Sequence, residues 1–278
     1  MIKYAVNGGG FTYVTVEQRT GGEVSVNINC GSKAVDLSPA IIHIDTVLNS
    51  PIMQVALSHV VDAIRVQYPI SKLYLVLPYL PYARQDRVCN AGEPNGSRVF
   101  ANYLNSMNFE LVEVYDPHSD AAVAGINNLI VSNQVEIFGK IHDFRNGWYI
   151  VAPDMGAKKK AEKFAKETGA LGVISCYKER NLYTGEIVSQ GLIGAENIPV
   201  GSKLFVLDDI CDGGRTFVGV RELLNQLEPS QVELCVTHGI FSYGKEVVTD
   251  IYDMVYTSNS WHPELMNSDK LKVVSVHF

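Results

Sequence analysis

No stretch of the 278 residues approaches the roughly 18–20 consecutive apolar residues of a membrane-spanning helix, so no membrane partner is expected. Cysteine is scarce. The five (Cys30, Cys89, Cys176, Cys211, Cys235) are odd in number, widely spaced and without a CxxC pair, which excludes a disulfide framework and a zinc site and fits a reducing, cytoplasmic setting. Basic residues are outnumbered, 23 against 30 acids, giving a net charge of −7. That deficit argues against a broad nucleic-acid-binding surface, although a local nucleotide site remains open. Asn7 and the glycines Gly8–Gly10 break the N-terminal apolar pattern, so no signal peptide is expected. Low-complexity segments and charged tails are missing too. What remains is 46% hydrophobic and 19% charged residues, enough for packed cores. At about 150 residues per domain the length suggests two domains.

The N-terminal residues read as strands at Lys3–Val6, Phe11–Val16 and Val24–Asn29, with a turn at Gly21-Gly22. From about residue 40 the pattern changes to alternating strands and helices. Ala40–Ile44 is a short apolar strand, and Ser50-Pro51 supplies an N-cap and first helical position for a helix running to Tyr68. Leu73–Leu77, Leu111–Tyr115, Trp148–Ala152, Leu171–Ser175, Leu204–Leu207 and Glu233–Thr237 read as strands, several of them continuous apolar runs that predict burial on both faces. Helices are predicted at Ser97–Met107, Ala157–Thr168 and Thr216–Leu227. Alternation of this kind predicts a mostly parallel sheet flanked by helices in each domain. With the linker placed near Ser132–Gln134, the domains run 1–133 and 134–278, the final strand, Val273–Phe278, being a candidate to return to the first.

The sharpest local pattern is LFVLDDICDGGRTF, residues 204–217. An apolar strand leads to Asp208 and Asp209, then Asp212, Gly213 and Gly214 precede a helix. Ligands of open α/β sheets bind beyond the carboxyl ends of the strands. Two carboxylates there suit a vicinal diol, and glycines at a helix N-terminus offer N–H groups to a phosphate. The competing reading makes the acids mere helix caps, with Thr216 as the N-cap.

That pattern resembles the phosphoribosyl-pyrophosphate loop of the type I phosphoribosyltransferase fold, and further motifs resemble the ribose-phosphate pyrophosphokinase family. GGEVSVNI (21–28) is similar to the family's D-G-E-x-x-V-x-I strand, and PYLPYARQDR (78–87) to its nucleotide loop. DPHS (116–119), the segment opening APDMG (152–156), YKERN (177–181) and THGIFSYG (237–244) follow in family order. The resemblance implies two type I phosphoribosyltransferase-like α/β domains. It implies Mg²⁺-dependent transfer of the β,γ-diphosphoryl group of ATP to the anomeric hydroxyl of a 5-phosphorylated ribose, releasing AMP. Glu23, Arg84, Gln85, Asp86 and His118 would then serve ATP, Glu23 from a neighbouring subunit. His118 and Asp154 would meet Mg²⁺, and Lys178 and Arg180, on a mobile polar loop, would neutralise the breaking phosphate bridge. Asp208, Asp209, Asp212, Gly213, Gly214, Arg215 and Thr216 would hold the ribose phosphate. A homo-oligomer, at least a dimer, is implied as well.

Departures from the family pattern bear on the acceptor and on regulation. Gly8–Arg19 reads as β where the family has a helix, and Arg19 stands where an aromatic residue helps cover adenine. VCNAGEP (88–94) lacks the serine and basic residues that serve the family's allosteric phosphate site. The family's D-T-G/C-G-T becomes Asp212-Gly213-Gly214-Arg215-Thr216, losing a hydroxyl and gaining a cation. Ribose 5-phosphate is the default acceptor, and ADP-ribose is the alternative that an outward-reaching Arg215 would suit. A phosphoribosyltransferase would share the Asp-Asp loop but not Ala83–Arg87, and a silent regulatory homologue would be expected to lose Lys178 or Arg180.

Overall fold

The computed structural model describes residues 1–31, 34–180 and 187–277, the side chains of 178–180 and 187–189 excepted. The chain divides into two units, Met1–Ser132 with His277–Phe278, and Asn133–Val276. Among the described residues no helix is long and apolar enough to cross a membrane.

The N-terminal unit contains β1 (Ile2–Val6), β2 (Thr12–Tyr13), β3 (Thr15–Gln18), β4 (Val24–Asn27), β5 (Ala40–Thr46), α1 (Pro51–Gln67), β6 (Ser71–Leu77), α2 (Gly96–Ser106), β7 (Leu111–Tyr115), α3 (Asp120–Val123) and β8 (Leu129–Ser132). Its main sheet has the order β2-β1-β5-β6-β7-β8, parallel from β5 to β8 and antiparallel at β1. The parallel strands follow one another in chain order without reversal. Helix α1 starts as expected, with Ser50 Oγ accepting from Met53 N–H at 3.4 Å and Pro51 in the first turn. It buries Ala56, Leu57, Val60, Val61 and Ile64, one stripe at helical spacing, against Ile42, Ile44, Leu73 and Leu75. The segment after Gly10 is β, as predicted: β3 and β4 pair as a separate hairpin whose turn closes through Gly22 N–H to the Arg19 carbonyl.

The C-terminal unit contains α4 (Gln134–Phe138), β9 (Trp148–Ala152), α5 (Lys158–Thr168), β10 (Gly172–Arg180), β11 (Ile187–Ile193), β12 (Lys203–Cys211), α6 (Arg215–Leu224), β13 (Gln231–Gly239), α7 (Glu246–Thr249), β14 (Met254–Ser258) and β15 (Leu271–Val274). The sheet order is β11-β10-β9-β12-β13-β14-β15, parallel except for β11. Strand order therefore reverses between β9 and β12, and the carboxyl ends of these two strands flank the crevice where open α/β sheets take ligands. Leu204 and Val206 of β12 pack on the side of α6, while Phe205 and Leu207 pack on the side of α5. Burial on both faces explains why Leu204–Leu207 is an unbroken apolar run.

Several elements are longer than the sequence suggests. β12 continues past Leu207 through Asp208 and Asp209 to Cys211, because Asp208, Ile210 and Cys211 keep pairing with Val236, His238 and Gly239. The two acids lie inside the strand and do not follow it. β10 continues past Ser175 to Arg180, paired antiparallel with β11, so the backbone of Tyr177–Arg180 is a hairpin strand and not the expected loop. β15 spans Leu271–Val274 and pairs with β14, short of the predicted Val273–Phe278.

Candidate active site

The loop between β12 and α6 is short and left open for an anion. Gly214 is the N-cap of α6 with φ +78°, and no side chain caps the helix. A side chain there would be strained by the left-handed backbone, and its Cβ would lie 2.7 Å from Val247 Cγ1. Phe217 and Val218 N–H both donate to the Gly214 carbonyl, so without a side-chain cap the N–H groups of Arg215 and Thr216 and the positive end of the helix dipole are left for solvent or an anion. Thr216, a possible N-cap by sequence, instead lies exposed in the first turn beside exposed Arg215. Gly213 is more constrained than its sequence suggests: a Cβ would sit 3.0 Å from the ring of Tyr243, so Tyr243 covers the place of the missing side chain. Ser242 holds that turn to the loop, its Oγ donating to Asp212 Oδ1 at 2.7 Å and its N–H to the Asp212 carbonyl at 3.1 Å.

The acids are held apart in function by their surroundings. Asp209 is buried, with Lys160 Nζ 4.0 Å from Oδ2. Half-buried Asp208 accepts from the Asp209 N–H at 2.9 Å. Desolvation and the neighbouring Asp209 carboxylate hold the Asp208 carboxyl well above the usual carboxylate range. Behind the strand, the buried Gln134 amide donates to the Asp208 carbonyl and, at 3.1 Å, to Thr237 Oγ1. Asp154, exposed after β9, accepts the Ala157 N–H at 2.9 Å where α5 begins. Lys158 pairs with Glu162 at 3.8 Å on the outer helix face, whereas Lys160 turns to Asp209.

The N-terminal unit carries a longer loop between β6 and α2, pinned by side-chain hydrogen bonds from within it, from α2 and from the N-cap of α3. Ser119 Oγ donates to Asp86 Oδ2 at 2.6 Å, Asn95 Nδ2 to the Asp86 carbonyl at 2.8 Å, and Ser97 Oγ to the Tyr82 carbonyl at 2.9 Å. Asn95 also caps α2, accepting from Arg98 N–H at 2.8 Å. This scaffold leaves Arg84 and Gln85 exposed. His118 is exposed beside Asp116, a buried residue with φ +39°. Such a backbone in a non-glycine residue is uncommon and marks a tightly specified turn. Glu23 is exposed just before β4. The side chains of Lys178 and Arg180 lie outside the described residues.

This geometry agrees with the comparisons. Residues 8–107 match the family described as the N-terminal domain of ribose phosphate pyrophosphokinase, and residues 132–266 match the phosphoribosyl transferase domain. The chain belongs to the ribose-phosphate pyrophosphokinase family. Curated relatives named ribose-phosphate pyrophosphokinase include those of Cereibacter sphaeroides, 29% identical over 195 residues (66% of this chain, 54% of the relative), and Pyrococcus furiosus, 29% identical over 187 residues (66% and 64%). A third, from Thermosipho africanus, is 28% identical over 227 residues, 78% of this chain and 68% of its own. The chain thus spans between about half and two thirds of the length of the first of these relatives. A solved phosphoribosylpyrophosphate synthetase from Mycobacterium smegmatis has the same fold, with a TM-score of 0.78, 21% identity, and 95% of this chain and 86% of that one covered.

Family membership confirms the two phosphoribosyltransferase-like α/β folds expected from sequence. Within that family frame, Gln134, Ser242 and Tyr243 are the residues that motif reading missed. Gln134 falls at the predicted linker, and its amide acts on a carbonyl far along the chain. Tyr243 had one visible signal, the extra residue in THGIFSYG relative to the family's T-H-G-I-F-S-G.

Proposed function

We propose that the chain transfers the β,γ-diphosphoryl group of ATP to the anomeric hydroxyl of ribose 5-phosphate, with AMP as leaving group. The uncapped N-terminus of α6 beside Asp208 and Asp209 carries this reading, and the relatives' name agrees with it. The 5′-phosphate would lie on the N–H groups of Gly213–Thr216, and the carboxylates would accept from the ribose hydroxyls. The new bond joins the anomeric oxygen to the β-phosphorus. The bridge to the α-phosphate breaks, its oxygen leaves with AMP, and the hydroxyl proton is released. Arg84 and Gln85 would hold the nucleotide on the loop that Asp86 fixes. Lys178 and Arg180 would neutralise charge on the parting phosphates, which is the main demand of phosphoryl transfer.

Mg²⁺ would supply charge neutralisation on the ATP phosphates. Among the described residues no group of three or more His, Cys, Asp or Glu is placed to hold a metal. Mg²⁺ usually takes one or two carboxylates and completes its shell with water and substrate phosphates. His118 and exposed Asp154 are the residues we assign to it. We assign Glu23, at the end of the β3–β4 turn, to the adenine site of a second copy, which makes the working form at least a dimer. A monomer by sedimentation that still turns over would remove that assignment.

A second acceptor, ADP-ribose, is favoured by one observation: Arg215 is exposed at the first position of α6, where its guanidinium can reach a second phosphate. The test incubates the protein with Mg-ATP and each acceptor separately and follows AMP. Acceptor-dependent AMP release supports the reading; AMP release with neither acceptor rejects it.

A further inference from the structure

Helix α6 carries a glycine in its interior, where glycine is the poorest helix former apart from proline. Gly219 has no left-handed backbone to require it. Close packing is not the cause either, since no atom lies within 4 Å of the position a Cβ would take. What the missing side chain provides is space. Gly219 lines a cavity of about 260 Å³ in the C-terminal unit, walled by Thr216 and Leu223 on the same helix face, by Tyr177 and Gln190 of the β10–β11 hairpin, and by Asp154.

Thr216 belongs both to this cavity and to the loop assigned to the 5′-phosphate, so the cavity begins where that loop ends. Its size falls below the roughly 300 Å³ at which sites for whole drug-sized ligands begin, which suits a single ring system. Its chemistry is mixed. Tyr177 and Leu223 offer surface for a planar ring, Gln190 offers an amide to its edge, and among the described residues lining the cavity there is no lysine or arginine to hold another phosphate. A heteroaromatic base meets those terms.

We propose that this cavity is a subsite for a heteroaromatic ring carried on the acceptor beyond its 5′-phosphate, as in a nucleoside diphosphate linked to ribose. The inference rests on the assignment of residues 212–216 to the 5′-phosphate and on the second reading, in which ADP-ribose is an acceptor. It gives Gly219 a role in acceptor selection, as the residue whose absent side chain leaves room for the ring.

The test compares the wild type with Gly219→Ala and Gly219→Leu, using ribose 5-phosphate and ADP-ribose as acceptors. Leucine should raise KM for ADP-ribose by about tenfold or more, the usual discrimination of a filled pocket, and alanine by less. KM for ribose 5-phosphate should stay within about twofold over the series. Both variants should melt no lower than the wild type, since each replaces glycine by a better helix former. Equal KM changes for the two acceptors, or no change for either, would overturn the subsite while leaving the transfer reading intact. Calorimetric titration of ADP-ribose without ATP gives the converse separation. If binding weakens in Gly219→Leu but no protein in the series releases AMP, the subsite stands and the transfer reading falls. If ADP-ribose binds wild type and Gly219→Leu alike, the subsite is rejected whatever the turnover.

Discussion

The two units contain the same local plan, a buried strand, a loop, a helix and the next parallel strand, yet they treat the helix N-terminus in opposite ways. In the N-terminal unit the loop between β6 and α2 is long, and Asn95 closes the helix with a side-chain cap. In the C-terminal unit the loop between β12 and α6 is short, and Gly214 leaves the helix without one. A capped helix has spent its first N–H groups on its own chain, whereas an uncapped one can give them to an anion. The sheets differ in the same sense: strand order reverses between β9 and β12 but not among β5–β8. The lesson is that the C-terminal unit builds its site from backbone, while the N-terminal unit holds a loop in shape so that side chains such as Arg84 can reach out. Phosphate of the acceptor is assigned to the first kind of site and the nucleotide to the second.

The largest effect should come from the cations that belong to neither loop. Lys178→Ala and Arg180→Ala should each lower kcat by about 10²–10³-fold, the range for a lost transition-state charge partner, with ATP affinity nearly unchanged. Equal losses of ATP affinity and kcat, read from steady-state kinetics and nucleotide titration, would show that they only bind the ground state. Next, Gly214→Asn tests the uncapped helix, made in and compared with a Val247→Ala background because a Cβ at 214 would otherwise lie 2.7 Å from Val247 Cγ1. Asparagine tolerates the left-handed backbone and brings a capping oxygen, so KM for the acceptor should rise by about tenfold to a hundredfold, the equivalent of one or two charge-assisted hydrogen bonds. KM for ATP should move little. If both constants rise together, the loops do not divide the substrates as argued.

The reciprocal change is smaller. Asn95→Ala removes the cap of α2 and should lower stability by about 1 kcal/mol in denaturant titration, leaving KM for the acceptor unchanged. A change in acceptor KM larger than that in stability would break the comparison.

The Asp208 carboxyl sharpens it from another side. Its folded-state pKa is raised by burial and by Asp209. The folded chain therefore holds this proton more tightly than the unfolded chain does, and ionisation costs stability as pH rises from the ordinary carboxylate value through the raised one. Asp208→Asn should melt higher than the wild type at neutral pH and lose that advantage below the ordinary carboxylate range, while activity falls. A melting temperature that drops at neutral pH would contradict this cost of ionising Asp208. The smallest effect is on thiol chemistry: burial pushes Cys176 and Cys211 up to about 12, whereas Cys89 is exposed on the loop between β6 and α2. Brief alkylation at neutral pH, read by mass spectrometry, should label Cys89 and spare the other two.

Much of this was legible in the residues themselves. Ser50-Pro51 announced α1, and the apolar runs at Leu73, Leu111, Trp148 and Leu204 announced strands because a strand covered on both faces needs no polar alternation. The Asp-Asp and Gly-Gly pattern pointed to the site for a related reason, since its donors are backbone groups whose need for glycine shows in sequence. What stayed hidden depends on partners distant in the chain. Tyr177–Arg180 is polar and became strand only by pairing with β11, and β12 outran its apolar stretch by pairing with β13. Gln134 gave no sign that its amide would reach the Asp208 carbonyl. Nor does the loop's own sequence show that Tyr243 covers the gap at Gly213. Restoring a threonine at 213 should therefore require shrinking Tyr243 as well.

The division of substrates between the two loops is tested most directly by amide NMR of the isotope-labelled protein titrated with one ligand at a time. The account predicts that ribose 5-phosphate shifts the amides of Gly213–Thr216 and leaves those of Arg84–Arg98 in place, and that ATP does the reverse. Shifts from ribose 5-phosphate at Arg84–Arg98, with Gly213–Thr216 silent, would contradict it.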